Sequence, residues 1–191
     1  MTTTGRTPFR SGSGRLCLDF VRTLRYRGRP WAEEELSGDD RLGEWVRQFG
    51  PWDAATDLEE PGRVEQARRL REAITILITT ALGAGGSRSC PAEVRDTVNA
   101  AAGAAVPTPE LDAAGRVVHR AGSVVEATLA LVARDALDLV SSSDLRRVRP
   151  CSNPECQVLF LDGSRPGRRR WCSMGTCGNR AKKANQRGRV D

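Results

Sequence analysis

Apolar residues recur at helical spacing over most of the first three quarters of the chain. Leu42, Trp45, Val46 and Phe49 fall at i, i+3, i+4 and i+7, which predicts a short helix begun by Asp39 or Asp40 and stopped at Gly50-Pro51. After Pro61-Gly62, a longer helix is predicted, with Val64, Ala67, Leu70, Ile74, Leu77 and Ile78 on one face. Arg63, Glu65, Arg68, Arg69 and Glu72 lie largely elsewhere, and the Gly-rich run Gly83–Ser87 ends it. Pro91 suits the first turn of a third helix running to about Ala102. Ser123 caps a fourth, whose core stripe is Val125, Leu129, Val132, Ala136 and Leu139, and Ser141–Asp144 breaks it. Residues 106–109 read as a loop and Arg116–His119 as a short strand. The run Leu16–Leu24 (LCLDFVRTL) fits either a strand or the first turns of a helix. Residues 25–38, with Gly28, Pro30 and Glu33–Glu35, read as a loop.

This pattern predicts a mainly α N-terminal domain over residues 15–142, with room for short strands and no internal repeat. A Gly/Ser/Thr/Arg-rich flexible arm is expected over residues 1–14. At 191 residues the chain holds one ordinary domain plus a small appendage, and a hydrophobic share of 39% suffices for a packed core. No apolar stretch is long enough to span a bilayer, and the first residues have no secretory h-region, so a soluble cytoplasmic protein is expected.

The last quarter has a different character. Of six cysteines, four form the pattern Cys151-x4-Cys156-x15-Cys172-x4-Cys177. Clustered cysteines without a secretory context bind metal more often than they form disulfides. Two close pairs on separate turns are the usual way to supply four thiolates to one structural Zn2+, with no coordination position left open. Ser152-Asn153-Pro154 favours the tight turn that folds Cys156 beside Cys151. Between the pairs, Val158–Leu161 and Arg168–Trp171 are predicted as two strands of a hairpin. A β-hairpin followed by a short helix is therefore expected over 146–189. With Phe160, Trp171 and Met174 as its large core candidates, such a module relies on metal for folding free energy on the order of 10 kcal/mol.

The run C-x4-C-x3-F-x-D-x-S-R-x4-R-W-C-S-M-x2-C-G-N-R-x-K, from Cys151 to Lys182, closely resembles the CGNR zinc finger, named for the tetrapeptide found here as Cys177-Gly178-Asn179-Arg180. In that family the finger follows an N-terminal domain called ABATE, and the proteins are regarded as bacterial transcription regulators, often described as stress-induced. LCLDFVRTL resembles the ABATE opening, commonly L-x-LDF-x-N-T, with Arg22 in place of the usual Asn. If that Asn serves a ligand pocket, the resemblance implies that the pocket here differs or is lost.

Charge follows the same division. Residues 146–191 carry a balance of +9, against −3 for residues 1–145. A zinc tetrathiolate carries −2, so local compensation takes only part of the excess. After Cys177 the sequence suits a short helix on which Arg180, Lys183 and Arg187 form one stripe, flanked by Asn179, Lys182 and Gln186. A basic helix pinned by zinc fits the major groove of double-stranded DNA, where Arg pairs with guanine and Asn with adenine. Arg165, Arg168, Arg169 and Arg170 form a second group placed to grip phosphates; solvated surface charge is the plainer account of both groups. An RNA- or ribosome-associated zinc module is the rival, since basic zinc modules also serve RNA.

The N-terminal domain suits ligand sensing or homodimerisation. Asp19, Arg22 and Trp45, with Trp31 and Trp52, are candidates to line an effector pocket, though core packing or surface ion pairing is the simpler account of each. His119 has no legible catalytic partner, Gly83–Gly86 lacks the Lys-Ser/Thr of a phosphate-binding loop, and Cys17 and Cys90 read as buried small apolar residues. No enzymatic activity is expected.

Overall fold

The computed structural model describes residues 7–187 except 55 and 59. Leu16–Val21 is a helix, α1, rather than a strand. Its start is fixed from outside: Asp135 accepts from the Cys17 N–H at 2.8 Å, and Arg15 bridges Asp135 at 2.8 Å and Asp138 at 2.5 Å. Helix α2 (Asp39–Phe49) begins at Gly38 with no side-chain cap, contrary to the expectation for Asp39 or Asp40. The Asp39 carboxylate turns instead to the Gly62, Arg63 and Val64 N–H groups at 2.7–2.9 Å, and so caps α3 (Val64–Ala81). Helix α4 spans Ala92–Gly103, just after Pro91. Helix α5 (Val124–Ser141) begins at Ser123 as expected: its hydroxyl accepts from the Glu126 N–H, and Glu60 adds a carboxylate on the Val124 N–H at 2.5 Å.

The helices enclose one core. Trp45 meets Phe20 edge-on at 4.9 Å and stacks on Phe49 at 4.8 Å; Leu18, Leu36, Leu42, Ile74, Ile78, Leu129 and Leu139 are among the fully buried side chains of the same core. Predicted stripe residues Ala67, Leu70, Leu77, Val125, Val132 and Ala136 are all buried.

Two regions read as loops contain strands. At the start of residues 25–38, β1 (Leu24–Arg25), which takes in the last residue of the preceding run, pairs with β2 (Glu33–Glu34), an arrangement anchored where Glu34 receives both Nη atoms of buried Arg71 at 2.6 Å. The loop reading of 106–109 also gives way, because β3 (Thr108–Leu111) pairs antiparallel with β4 (Val117–Arg120) across a turn closed by Asp112. The reading of Arg116–His119 as a short strand meets β4 to within a residue, whereas β3, exposed along its whole length, shows no apolar alternation and was therefore hidden.

A correction also applies to the C-terminal hairpin. Val158–Leu161 does not pair with Arg168–Trp171. Strand β6 (Leu159–Leu161) pairs instead with β5 (Val148–Pro150), which precedes the first cysteine. Residues 168–171 run beside the first knuckle, where the Arg170 carbonyl accepts from the Ser152 N–H at 2.8 Å. The reason lies at Asp162, whose carboxylate receives the Ser164 N–H at 3.0 Å and the Arg169 N–H at 2.8 Å, curling the connection back on itself.

Strand β6 has two faces. Leu159 and Leu161 pack, with buried Val148, against the helical core, while Phe160 points into the small cluster around Cys151, Cys172 and Cys177. Residues 7–14, expected to belong to a flexible arm, lie along this junction. Phe9 exchanges two hydrogen bonds with Gln48, the Ser13 N–H donates to Asp19, and the Ser13 carbonyl accepts from the Leu161 N–H at 2.8 Å. Gly14, at φ +93°, lets the chain pass so close to Leu161 that a Cβ there would sit 2.9 Å from the Leu161 Cβ. Residues 1–6 of the predicted arm lie outside the described residues. Among the described residues no helix is long and apolar enough to cross a membrane.

Candidate metal centre and basic surface

The four cysteines come together from two turns. In the first, Asn153-Pro154 bends the chain so that the Asn153 carbonyl accepts from the Cys156 N–H at 2.9 Å and the Gln157 N–H at 3.2 Å. In the second, Ser173 opens a π-helical turn (Met174–Gly178), accepting from the Thr176 N–H through its hydroxyl and from the Gly178 N–H through its carbonyl. Cys151, Cys172 and Cys177 are buried and Cys156 is half-buried.

All four Sγ atoms lie within 4.8 Å of one another, and the Cys156–Cys172 and Cys172–Cys177 separations are both 3.7 Å. A tetrahedral zinc with Zn–S bonds of about 2.3 Å requires edges of about 3.8 Å. The donor set therefore fits one Zn2+, and Cys151, Cys156, Cys172 and Cys177 are the residues that would hold it. N–H groups turn toward the sulfurs, from Asn153 Nδ2 to Cys177 at 3.6 Å and from the Cys172 backbone to Cys151 at 3.5 Å, as a charge-bearing thiolate requires. A hydrogen bond with Cys172 draws the Cys156 thiol down to about 5, and the same contact pushes Cys172 up. Binding a cation here must expel the protons that remain, so affinity weakens as pH is lowered.

The basic residues divide. Helix α6 (Asn179–Arg187) starts immediately after the second knuckle, and Asn179, Arg180, Lys182, Lys183 and Gln186 on it are exposed. The Asn179 side chain donates to the Gly175 carbonyl at 3.1 Å, tying the helix to the metal loop. Arg180 leans back on the N-terminal domain, where its bond with the Tyr26 hydroxyl raises its already high pKa. The side chain of Arg187 lies outside the described residues. Arg165, Arg168 and Arg170 are exposed, with Arg170 over the Trp171 ring at 5.0 Å. Arg169, grouped with them by sequence, is turned inward instead. Its Nε donates to the Trp171 carbonyl at 2.8 Å, Nη2 bonds the Cys172 carbonyl, and the guanidinium lies over Phe160. It braces the finger from within.

Of the residues considered for an effector pocket, Trp45 is fully buried in the helical core and Asp19 is bound to the Gly12 and Ser13 N–H groups. Neither is among the described residues that line the cleft beside Arg22. Trp52 donates to Thr128 at 2.8 Å and Trp31 is exposed. Arg22 pairs with Asp19 at 3.6 Å and does line a cleft, between α3 and the first knuckle. Sequence reasoning missed Asp162, which organises the finger's long loop, and Arg29, whose guanidinium reaches the Pro154 carbonyl at 2.9 Å. The F-x-D-x-S spacing held a signal for Asp162, since an Asp two residues before Ser is a turn former.

Comparison with known families agrees with this geometry. The model for ABATE, described as "Putative stress-induced transcription regulator", matches residues 14–143, and the model for the CGNR zinc finger matches residues 147–190. Comparison with curated proteins gave no match.

Proposed function

Since the chain belongs to the ABATE family and ends in a CGNR zinc finger, we propose that it is a zinc-dependent, DNA-binding transcription regulator whose N-terminal domain senses a small molecule. The observation that carries this reading is the sulfur quartet from which a basic helix projects, beside a second exposed group of arginines. On this reading Zn2+ is structural: it fixes the start of α6 against the loop that carries Arg165, Arg168 and Arg170. Lys182, Lys183 and Asn179 then face the duplex together with those arginines, and Arg169 is removed from the contact set. Arg180 reaches DNA only by leaving Tyr26. No catalytic role is assigned to any residue.

The test is fluorescence anisotropy of zinc-loaded protein with a mixed pool of labelled duplexes, competed by structured RNA at fixed salt. The charge reversal Lys182→Glu with Lys183→Glu is expected to abolish duplex binding while zinc stays stoichiometric. If about six phosphates are engaged, log K falls with log salt at a slope of roughly −5. Unchanged affinity in the reversed variant, or stronger competition by RNA than by DNA, overturns the reading. Chromatin mapping that returns twofold-symmetric sites would assign a homodimer to the bound form.

A further inference from the structure

We infer that the cleft between the helical domain and the first zinc knuckle is the effector site, and that its ligand is a small organic anion with an apolar body. This rests on the sensing role proposed above and supplies its location and chemistry. The cleft has a volume of about 400 Å3, within the range of small-molecule sites. One wall is the last turns of α3, with Thr75, Thr79 and Leu82; the other is Pro150 and the stretch Cys156–Leu159; Val21, Arg22, Leu24 and Arg27 form the floor.

Three observations set the ligand's chemistry. First, the only cationic side chains lining the cleft among the described residues are Arg22 and Arg27, no carboxylate lines it, and the one anionic group there is the Cys156 thiolate at the finger end. Arg27 is partly neutralised by Glu72, which lies outside the lining, and it also reaches Thr75 at 3.4 Å. Second, Arg22 is only 6% exposed, and its bonds to the Ser11 carbonyl at 3.2 Å, the Ser13 hydroxyl at 2.9 Å and Asp19 all run through Nη1. Among the described residues Nε and Nη2 have no such partner. A guanidinium so enclosed, lining this cleft and the adjoining gap with Nε and Nη2 unpaired among the described residues, is suited to receive a carboxylate or phosphate oxygen pair. Third, Val21, Leu24, Leu82, Pro150, Val158 and Leu159 make the rest of the surface mainly apolar. The thiolate centre at Cys156 disfavours negative charge at the finger end, so the acid group faces Arg22 and the apolar body lies toward Val158 and Leu159.

The position gives the ligand leverage. Its site includes Cys156 and Gln157, the latter at φ +47°, and adjoins the small gap where Arg180 of α6 meets Tyr26 and Arg25. A ligand that seats there bears on the finger's first knuckle and on the helical domain at once. Arg22 is also the residue by which this chain departs from the L-x-LDF-x-N-T pattern, so the anion preference is a property of this chain.

Isothermal titration calorimetry of the zinc-loaded full chain tests the inference with octanoate and 2-naphthoate, their neutral amides, and inorganic phosphate. Saturable binding of the acids is expected, with the amides and bare phosphate weaker by about tenfold or more, as loss of a charge-assisted pair or of the apolar body requires. Arg22→Asn should weaken the acids by about tenfold. Because Arg22 also ties down residues 11–13, Thr79→Glu is the second variant: it places a repelling charge on an exposed helical position and should weaken the acids with zinc content and melting temperature unchanged. Equal binding of acids and amides, no saturable binding of any acid at millimolar concentration, or indifference to both substitutions overturns the inference. Duplex affinity measured on the same samples separates this outcome from failure of the DNA-binding reading.

Discussion

Gly14→Ala isolates the seating of the finger on the helical domain. Gly14 sits at φ +93°, and a Cβ would lie 2.9 Å from the Leu161 Cβ and 3.4 Å from the Leu161 carbonyl oxygen. The obstructing atoms are a side-chain stem and backbone, which cannot swing away as a flexible tip would. The left-handed conformation costs an L residue about 1–2 kcal/mol. Restoring an ordinary contact of about 3.6 Å moves β6 outward by roughly 0.7 Å. That displacement stretches the 2.8 Å bond between the Leu161 N–H and the Ser13 carbonyl beyond useful length, a loss of about 1 kcal/mol. The sum is about 2–3 kcal/mol, or a fall of roughly 4–12 °C in melting temperature for a chain of this size. Gly12→Ala is the matched control. Gly12 has φ +91° and nothing within 4 Å of the added atom, so it bears the backbone cost alone. Differential scanning calorimetry of the zinc-loaded proteins reads both, and zinc release to a chelating dye reports the seating directly. Equal melting temperatures and equal release rates for the two variants would refute the claim that β6 is held against residues 13–14.

Three further outcomes are expected. Cys172→Ser leaves three thiolates for the site, so elemental analysis should show zinc below stoichiometry while far-ultraviolet dichroism keeps most of its helical signal; full zinc retention contradicts the four-sulfur assignment. Asp39→Ala removes the carboxylate that caps α3 and should cost about 1 kcal/mol by chemical denaturation, whereas Asp40→Ala leaves that cap in place. The Asp162 carboxylate is held below its usual value, chiefly by the Ser164 hydroxyl and also by the Arg169 N–H. Its contribution is thus complete above the unfolded value of about 3.9 and is lost as pH falls through the lower folded value, a dependence that Asp162→Asn should flatten in acid unfolding curves.

How far the sequence speaks depends on where the deciding contacts lie. Helices α2, α3 and α5 were legible because each packs a continuous apolar stripe, and Ser123 was legible as a cap because its partner, the Glu126 N–H, is three residues away. The cap on α3 was not, since Asp39 and the groups it serves are more than twenty residues apart and Asp39 also heads its own helix. The four cysteines announced the metal centre by spacing alone. The hairpin partner of β6 was misassigned because Val148–Pro150 lies outside the cysteine run, where nothing local marks it as a strand. Arg169 was grouped with its neighbours as a phosphate contact although alternation sets it on the opposite face from Arg168 and Arg170, and only the fold shows that this face meets Phe160. The cleft beside Arg22 exists only where the two halves meet, so no linear pattern encodes it.

The double-sided strand limits how this finger can be moved. Residues alternating along β6 serve two interiors, Phe160 the metal-bound one and Leu159 and Leu161 the helical one. A cassette cut between residues 143 and 147 and spliced onto a foreign partner would carry two leucines and Val148 with nowhere to hide. A workable transplant has to bring its own cradle, from residue 9 through α1, or replace those three side chains with polar ones. Specificity engineering is therefore better done by exchanging α6 and the 163–170 loop in place than by swapping the module whole.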